Sequence, residues 1–304
     1  LGLEYEPHKG TMPVWKAFQL DIARALVFKK WREALGDEIK VIFSGGAALQ
    51  PRLTRVFWAA GIPICEAYGL TETSPGLTSN LVKPEGVRAG TVGTPFTHVT
   101  IKIADDGEIL AKGDSIMQGY YKEPAKTAEV IDEDGWFHTG DIGTFVEGKF
   151  LKITDRKKEM FKTSGGKYIA PQMVENRLKE SYFIEQVMVV GEGRKFPSAI
   201  IIPNFEAVKS WCDEASVKFS SAVDMLKNEK FLKKLETEIN ECNQGLGKWE
   251  QIKRFILSAE LWSVETGELT PKMSLKRRVI LKQFEQEIAD LYDAVEKEKK
   301  AAKV

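Results

Sequence analysis

Apolar residues recur near helical spacing between Val14 and Leu35, as Phe18, Ile22, Ala25, Leu26 and Trp31, and Gly36 follows as a stop. The pattern predicts a helix. Ile39–Phe43 is a short apolar run of strand type that ends at Ser44-Gly45-Gly46. A second helix is predicted from Pro51, with Leu53, Val56, Phe57 and Ala60 as its buried stripe and Gly61 as its cap. Ile62–Cys65 reads as the next strand. Strand, helix, strand with short links is a βαβ unit, whose crossover is right-handed and whose strands run parallel. The loops after the two strands, Gly45-Gly46 and Tyr68-Gly69-Leu70-Thr71-Glu72, then open on one edge of the sheet, where ligands bind in open α/β folds.

From about Gly86 to Thr154 the pattern changes. Asp-Gly and Glu-Gly pairs separate the short runs Val99–Ile103, Glu108–Ala111, Phe145–Val146 and Phe150–Ile153, which predict antiparallel hairpins. The charged stretch Asp155-Arg156-Lys157-Lys158-Glu159 precedes a second glycine loop, Ser164-Gly165-Gly166. Beyond it the pattern predicts a helix over Pro171–Lys179 and strands at Gln186–Val190 and Ala199–Ile202. Helices follow at Phe205–Val217, Ser221–Lys227 and Glu229–Cys242, then a strand at Lys253–Leu257 and a last helix from about Leu275. The Lys/Glu/Ala tail from Glu296 reads as frayed. The fold class is therefore α/β plus α+β. A part with a parallel βαβ unit and a small antiparallel β subdomain (1–157) is followed by an α+β domain (158–304) of ordinary size.

Charge narrows the function. Forty-four basic residues balance forty-four acidic ones, which argues against a nucleic-acid partner, since that binding needs an excess of Lys and Arg. Cys65, Cys212 and Cys242 are too few and too scattered for a disulfide framework or a zinc site. His8, His98 and His138 lack metal-ligand spacing. No apolar stretch is long enough to cross a bilayer and there is no signal peptide, so a reduced, cytoplasmic protein is expected. The chain opens on Leu1 rather than Met, a first hint of a fragment.

Singly, the candidate motifs are modest. Ser44-Gly45-Gly46-Ala47 lets backbone approach a flat ligand, but taken alone it reads first as a tight strand–helix turn. Ser164-Gly165-Gly166-Lys167-Tyr168 lacks the earlier glycine and the hydroxyl of a Walker loop. Tyr68-Gly69-Leu70-Thr71-Glu72 places a ring, a hydroxyl and a carboxylate together, suited to a purine, a phosphate and Mg²⁺, or forms a plain polar loop. Asp141, ending the run Trp136-Phe137-His138-Thr139-Gly140, can accept from a ribose diol or shape a turn, and His138 reads as packed rather than catalytic. Arg156 can pair with phosphate or ribose oxygens or stay solvated. The basic stretch Lys272, Lys276, Arg277, Arg278 reads as a solvated face.

Together and in order, these segments resemble the adenylate-forming superfamily of acyl- and aryl-CoA synthetases, luciferases and peptide-synthetase adenylation domains. The resemblance runs from about residue 35 to about residue 290. Its carriers are Ser44-Gly45-Gly46-Ala47-Ala48-Leu49, Glu66-Ala67-Tyr68-Gly69-Leu70-Thr71-Glu72, and Gly135-Trp136-Phe137-His138-Thr139-Gly140-Asp141-Ile142-Gly143. They continue with Asp155-Arg156-Lys157-Lys158-Glu159, Ser164-Gly165-Gly166, and Leu269-Thr270-Pro271-Lys272-Met273-Ser274-Leu275-Lys276-Arg277. Ser274-Leu275-Lys276-Arg277, where many relatives have Ser-Gly-Lys, and Tyr168-Ile169-Ala170-Pro171-Gln172 are similar to the long-chain fatty-acid–CoA ligases.

The resemblance implies an AMP-forming acid–thiol ligase of fatty-acid and lipid metabolism. Its reactants would be ATP (leaving as AMP), a long-chain fatty acid and CoA, with Mg²⁺ as cofactor. Gly45, Gly46, Glu66, Ala67 and Tyr68 would line the adenine site. Thr71 would bond the phosphates and Glu72 hold Mg²⁺, both counted with the catalytic residues. Asp141 would take the ribose hydroxyls with help from Arg156, and Lys276 would be the catalytic lysine of adenylation. Gly165 and Gly166 would line the pantetheine channel, and Lys158 matches the hinge of a small, mobile C-terminal domain.

One departure stands out: the family's Ser/Thr/Gly-rich phosphate loop should precede Gly45, and nothing before residue 44 matches it. The expectation is a C-terminal portion with an incomplete large domain, inactive alone, partnered by the missing N-terminal portion, with peripheral membrane contact left open. The alternatives are a non-enzymatic nucleotide- or acyl-adenylate-binding fragment acting through a partner, or a ligase for another carboxylic acid. A peptide-synthetase domain fits less well, since no carrier domain follows Val304. A luciferase-like oxygenase shares these motifs.

Overall fold

The structure is a computed structural model and describes residues 2–10 and 12–301. The chain divides into two compact units, Leu1–Lys157 and Lys158–Val304.

In the first unit, Val14–Ala23 (α1) and Lys29–Ala34 (α2) are joined by a π-helical turn at Arg24–Phe28. The apolar series that predicts this helix is not its buried face. Leu20 and Phe28 pack with Ala59, Ala60 and Ile62, whereas Phe18, Ile22, Leu26 and Trp31 are exposed. The cause lies in two arginines. Arg24 Nε donates to Ala59 O at 2.9 Å and Arg32 Nη1 to Ala60 O at 2.8 Å. They satisfy carbonyls left open at the end of the next helix and so set the rotation of the first.

That next helix, Pro51–Ala59 (α3), buries Thr54, Trp58 and Ala59, followed by Ala60. The expected stripe is thus turned: Ala60 is buried, Val56 and Phe57 are half-buried and Leu53 is exposed. Trp58 turns it by donating its indole N–H to Ile64 O at 2.8 Å. Gly61, at φ +76°, takes the left-handed conformation that ends the helix.

The parallel βαβ unit is present. β1 (Ile42–Ser44) and β2 (Ile64–Tyr68) pair in parallel, with Ile42 opposite Ile64 and Ser44 opposite Glu66. β3 (Thr78–Ser79) and β4 (Thr94–Pro95) extend this sheet antiparallel. A second sheet is antiparallel throughout: β5 (Val99–Ile103), β6 (Glu108–Gly113), β7 (Phe137–Val146) and β8 (Phe150–Arg156), with a short helix Pro124–Val130 (α4) between β6 and β7. β7 takes in the whole segment from Phe137 through Asp141, so Asp141 lies on a strand and not in a turn.

The second unit opens with the hairpin β9 (Phe161–Lys162) and β10 (Tyr168–Ile169), followed by the helix Pro171–Leu178 (α5). β11 (Ile184–Val190) and β12 (Ser198–Pro203) pair antiparallel. The helices Phe205–Glu214 (α6), Ala222–Met225 (α7) and Glu229–Asn243 (α8) follow, and β13 (Phe255–Leu257) joins β12 in parallel. Successive strand residues point to opposite faces, and both faces are covered. Val187, Val189, Ala199 and Ile201 pack against Leu178, Val208, Phe231 and Leu235 on one side. Met188, Val190, Ile200 and Ile202 meet Trp262, Leu269, Ile280 and Phe284 on the other. This explains why β11 and β12 read as unbroken apolar runs.

The last helix is two helices, Arg277–Gln283 (α9) and Glu285–Ala301 (α10), broken at Phe284, whose ring is buried against Trp262. The expected fraying from Glu296 is corrected: α10 continues to Ala301. Glu296 pairs with Lys195 at 2.7 Å and Glu298 with Arg254 at 2.9 Å; residues 302–304 of that tail lie outside the described residues. Among the described residues, no helix is long and apolar enough to cross a membrane.

Candidate active site

The first candidate residues gather where β2 ends. A Cβ on Gly45 would stand 3.3 Å from Ala67 O, so the glycine loop after β1 lies directly against β2. Gly69 must be glycine for a stronger reason: a Cβ there would stand 1.7 Å from Pro75 O. The turn Thr71–Thr73 is pinned by the buried Thr73, whose hydroxyl accepts from Leu70 N at 2.9 Å and donates to Pro75 O at 2.9 Å. Thr71 stands exposed on this turn, and the half-buried Glu72 accepts a hydrogen bond from Tyr120 Oη at 2.9 Å.

The ring of Tyr68 is buried, and its hydroxyl donates to Asp141 Oδ2 at 2.6 Å. Asp141, buried on β7, places Oδ1 3.5 Å from Arg156 Nε, the cross-strand neighbour on β8. Burial, and then the Asp141 charge, push the Tyr68 hydroxyl above its usual range, so it remains a donor. Tyr68, Asp141 and Arg156, separate in sequence, form one cluster with a buried anionic centre and an exposed guanidinium.

Glu66, one strand position before Ala67, is 5% exposed. It accepts from Thr54 Oγ1 at 3.2 Å and from the Gly90 N–H, yet burial pushes its carboxyl up to about 7.

A hub not foreseen from the sequence lies under Asp141. The Glu108 carboxylate accepts from Gly140 N at 2.9 Å and from Lys157 Nζ at 2.8 Å, and stands 3.0 Å from His138 Nδ1. Burial pushes Glu108 up, but Lys157, His138 and the Gly140 N–H outweigh it and hold the carboxyl below its usual value. Lys157 N also donates to Gly140 O at 2.8 Å. Asp105-Asp106-Gly107-Glu108 reads only as a hairpin turn, so the sequence signal for this hub is weak. Tyr120 and Thr54 carry no sequence signal either: Thr54 stands among the arginines of a helix and Tyr120 beside a second tyrosine, and nothing local marks which of these side chains meets a distant carboxylate.

In the second unit, Lys158 is exposed at its first position. Gly165 and Gly166 sit exposed in the turn between β9 and β10, where Gly166 has φ +75° and donates to Thr163 O. Lys276 is exposed at the N-cap of α9, and its backbone N–H donates to Glu268 O at 2.7 Å. Arg277 departs from the solvated face expected of its basic stretch: its side chain is 17% exposed and pairs with Glu175 and Glu159.

Chemically, the end of β2 offers an aromatic ring, an anionic hydrogen-bond acceptor, a free-standing hydroxyl turn and one further carboxylate. Among the described residues, no group of three or more His, Cys, Asp or Glu side chains could hold a metal ion. Glu72 contributes a single carboxylate, which suits Mg²⁺ when substrate phosphates supply other oxygens.

Two family models match the chain: "AMP-binding enzyme" over residues 10–121 and "AMP-binding enzyme C-terminal domain" over residues 159–296. The chain belongs to the AMP-binding enzyme family. Its relatives in that family include a long-chain-fatty-acid–CoA ligase of Mycobacterium bovis, FadD15, 36% identical over 269 residues that make up 88% of this chain and 44% of the relative. Long-chain-fatty-acid–CoA ligase 1 of Homo sapiens is 38% identical over 286 residues, 89% of this chain and 40% of that protein. The chain thus spans less than half the length of these relatives. Among solved structures, the A-PCP didomain of carboxylic acid reductase from Segniliparus rugosus, in complex with AMP, has the same fold. The TM-score is 0.69 at 24% identity, covering 92% of this chain and 38% of that one.

Proposed function

We propose that the protein carrying this chain activates a long-chain fatty acid with ATP and passes the acyl group to CoA. A fatty carboxylate oxygen attacks the α-phosphorus, the bond to the β-phosphate oxygen breaks, and pyrophosphate leaves. The CoA thiol, losing its proton, then attacks the acyl carbon and AMP departs. The observation that carries this reading is the buried Tyr68–Asp141 pair at the end of β2, inside a chain similar to named long-chain ligases.

In this reading Gly45, Gly46, Glu66, Ala67 and the Tyr68 ring hold the adenine, and Asp141 accepts from the ribose hydroxyls with Arg156 beside it. Thr71 bonds phosphate oxygens. Glu72 holds Mg²⁺, which when bound neutralises phosphate charge. The Lys276 ammonium bridges the fatty carboxylate and the α-phosphate, countering charge as it develops on the pentavalent phosphorus. Gly165 and Gly166 line the path of the CoA thiol, and Lys158 is the hinge about which the small domain moves between the two half-reactions. A cytoplasmic setting belongs to the same reading, as does inactivity of the 304-residue chain by itself.

The test is pyrophosphate release with palmitate, ATP and Mg²⁺, comparing the full-length protein, its Lys276→Ala variant and this chain. Activity in the first alone is expected. Silence of the full-length protein across fatty acids would end the substrate reading. Turnover by this chain alone would end the claim that it is inactive. Nucleotide binding without turnover in the full-length protein would favour a non-enzymatic role.

A further inference from the structure

We propose that Arg277 is the positioning residue for Lys276: it clamps the start of α9 onto two carboxylates, Glu175 on α5 and Glu159 at the opening of the second unit. The inference rests on reading Lys276 as the adenylation lysine.

The clamp is built from three directions. Arg277 Nη2 stands 2.8 Å from Glu175 Oε1 and 2.7 Å from Oε2, Nε donates to Glu159 Oε2 at 3.0 Å, and Nη1 faces Val189 O at 3.4 Å. Both acids have further partners. Glu175, 5% exposed, also accepts from Val189 N at 2.7 Å, and Glu159 accepts from Gln172 Nε2 at 2.9 Å.

The segment before Lys276 is held by backbone hydrogen bonds rather than by charged side chains: Met273 N donates to Thr270 O at 2.7 Å and Lys276 N to Glu268 O at 2.7 Å. Pro271–Ser274 is exposed, turns through Met273 at φ +61°, and is closed by the bridge between Leu269 and Leu275. Lys276 itself is exposed at the N-cap of α9, with the Glu268 carboxylate near enough to feel its charge. The backbone that carries its exposed ammonium is fixed on its C-terminal side by the clamped Arg277. A buried ion pair contributes little net stability compared with apolar residues of the same volume. The planar guanidinium instead fixes orientation through several hydrogen bonds at set angles, which a lysine cannot reproduce.

The experiment uses the full-length ligase with Arg277→Met, Arg277→Lys and Glu159→Gln, beside Lys276→Ala. Two rates are measured for each: pyrophosphate release from ATP and palmitate, and thioester formation from preformed palmitoyl-adenylate and CoA. Thermal unfolding is followed in parallel. Displacing the lysine by an ångström is expected to slow pyrophosphate release by about a hundredfold in Arg277→Met, through kcat rather than the KM for ATP. The thioester step stays near wild type, and Arg277→Lys restores part of the loss. Glu159→Gln keeps the Glu175 pair and is expected to fold, with pyrophosphate release lowered by about tenfold.

Equal losses in both half-reactions would make Arg277 merely structural and overturn the proposal. If Arg277→Met does not fold, wild-type pyrophosphate release in both Glu159→Gln and Arg277→Lys overturns it as well. Undiminished release by Lys276→Ala would instead remove the reading beneath it, whatever Arg277 does.

Discussion

The Tyr68 hydroxyl donates a 2.6 Å hydrogen bond to Asp141 Oδ2, tying the mixed sheet of β1–β4 to the antiparallel one across 73 positions of chain. The same carboxylate faces Arg156 through Oδ1. Tyr68→Phe removes the donor to Oδ2 of this buried carboxylate, at a cost of about 1–3 kcal/mol in stability. Asp141→Asn keeps the shape and loses the charge. Both variants are expected to bind AMP at least about tenfold more weakly, since a charge-assisted hydrogen bond contributes about 1.5–3 kcal/mol. Calorimetric titration with AMP, on protein checked for its melting temperature, decides this; unaltered affinity in both would remove Asp141 from the nucleotide site.

Gly69 and Gly46 are expected to respond differently to alanine. Gly46 has φ +80° with no heavy atom within 4 Å of a new Cβ, so Gly46→Ala costs only the left-handed strain, about 1–2 kcal/mol. Gly69→Ala would drive a methyl into Pro75 O and must displace the turn that presents Thr71 and Glu72. The melting temperature should drop much further for Gly69→Ala, and pyrophosphate release in the full-length ligase should be lost. Equal effects of the two changes would count against the turn geometry.

Glu66 sets a pH dependence whose sign follows from its raised carboxyl. Between the ordinary value of 4.5 and about 7 the folded chain holds a proton that the unfolded chain has released. The associated stability is fully present below 4.5 and is lost as pH rises through about 7. The whole step amounts to about 3 kcal/mol. Glu66→Gln keeps partners for Thr54 and Gly90 without the charge. Urea unfolding of the two proteins should therefore give similar stabilities at pH 4.5 and a gap favouring Glu66→Gln at pH 8. A constant gap across that range would refute a protonated Glu66.

The first helix provides a packing test. Leu20, 3% exposed, should cost about 2–5 kcal/mol on truncation to alanine. Phe18, 66% exposed, should change the stability of this chain by no more than about 0.5 kcal/mol on substitution by serine. Denaturant midpoints of Leu20→Ala and Phe18→Ser settle which face is buried, and the reverse order would restore the face that hydropathy alone suggests.

Much of the architecture was legible in the chain. The βαβ unit follows from two apolar runs around an amphipathic segment with Gly61 at its end, and the hairpins follow from Asp-Gly and Glu-Gly pairs. β11 and β12 follow from runs buried on both faces. The motifs around Tyr68, Asp141 and Lys276 were legible only together and in order, through the family resemblance, since each taken singly also reads as an ordinary loop, turn or solvated face. The Glu108 hub and Tyr120 were not, since an acid of a hairpin turn or one of two adjacent tyrosines has no local signature of the distant group it meets.

Secondary structure and residue order were determined by the sequence itself, because periodicity, glycine placement and turn chemistry act over a few residues. Tertiary structure decided which side of each helix is buried and which charges meet. A helix rotates freely about its axis until distant groups hold it, as Arg24 and Arg32 hold the first helix on the carbonyls of Ala59 and Ala60. Tyr68 reaches Asp141 across 73 positions and Arg277 reaches Glu175 across 102, distances over which no local pattern carries information.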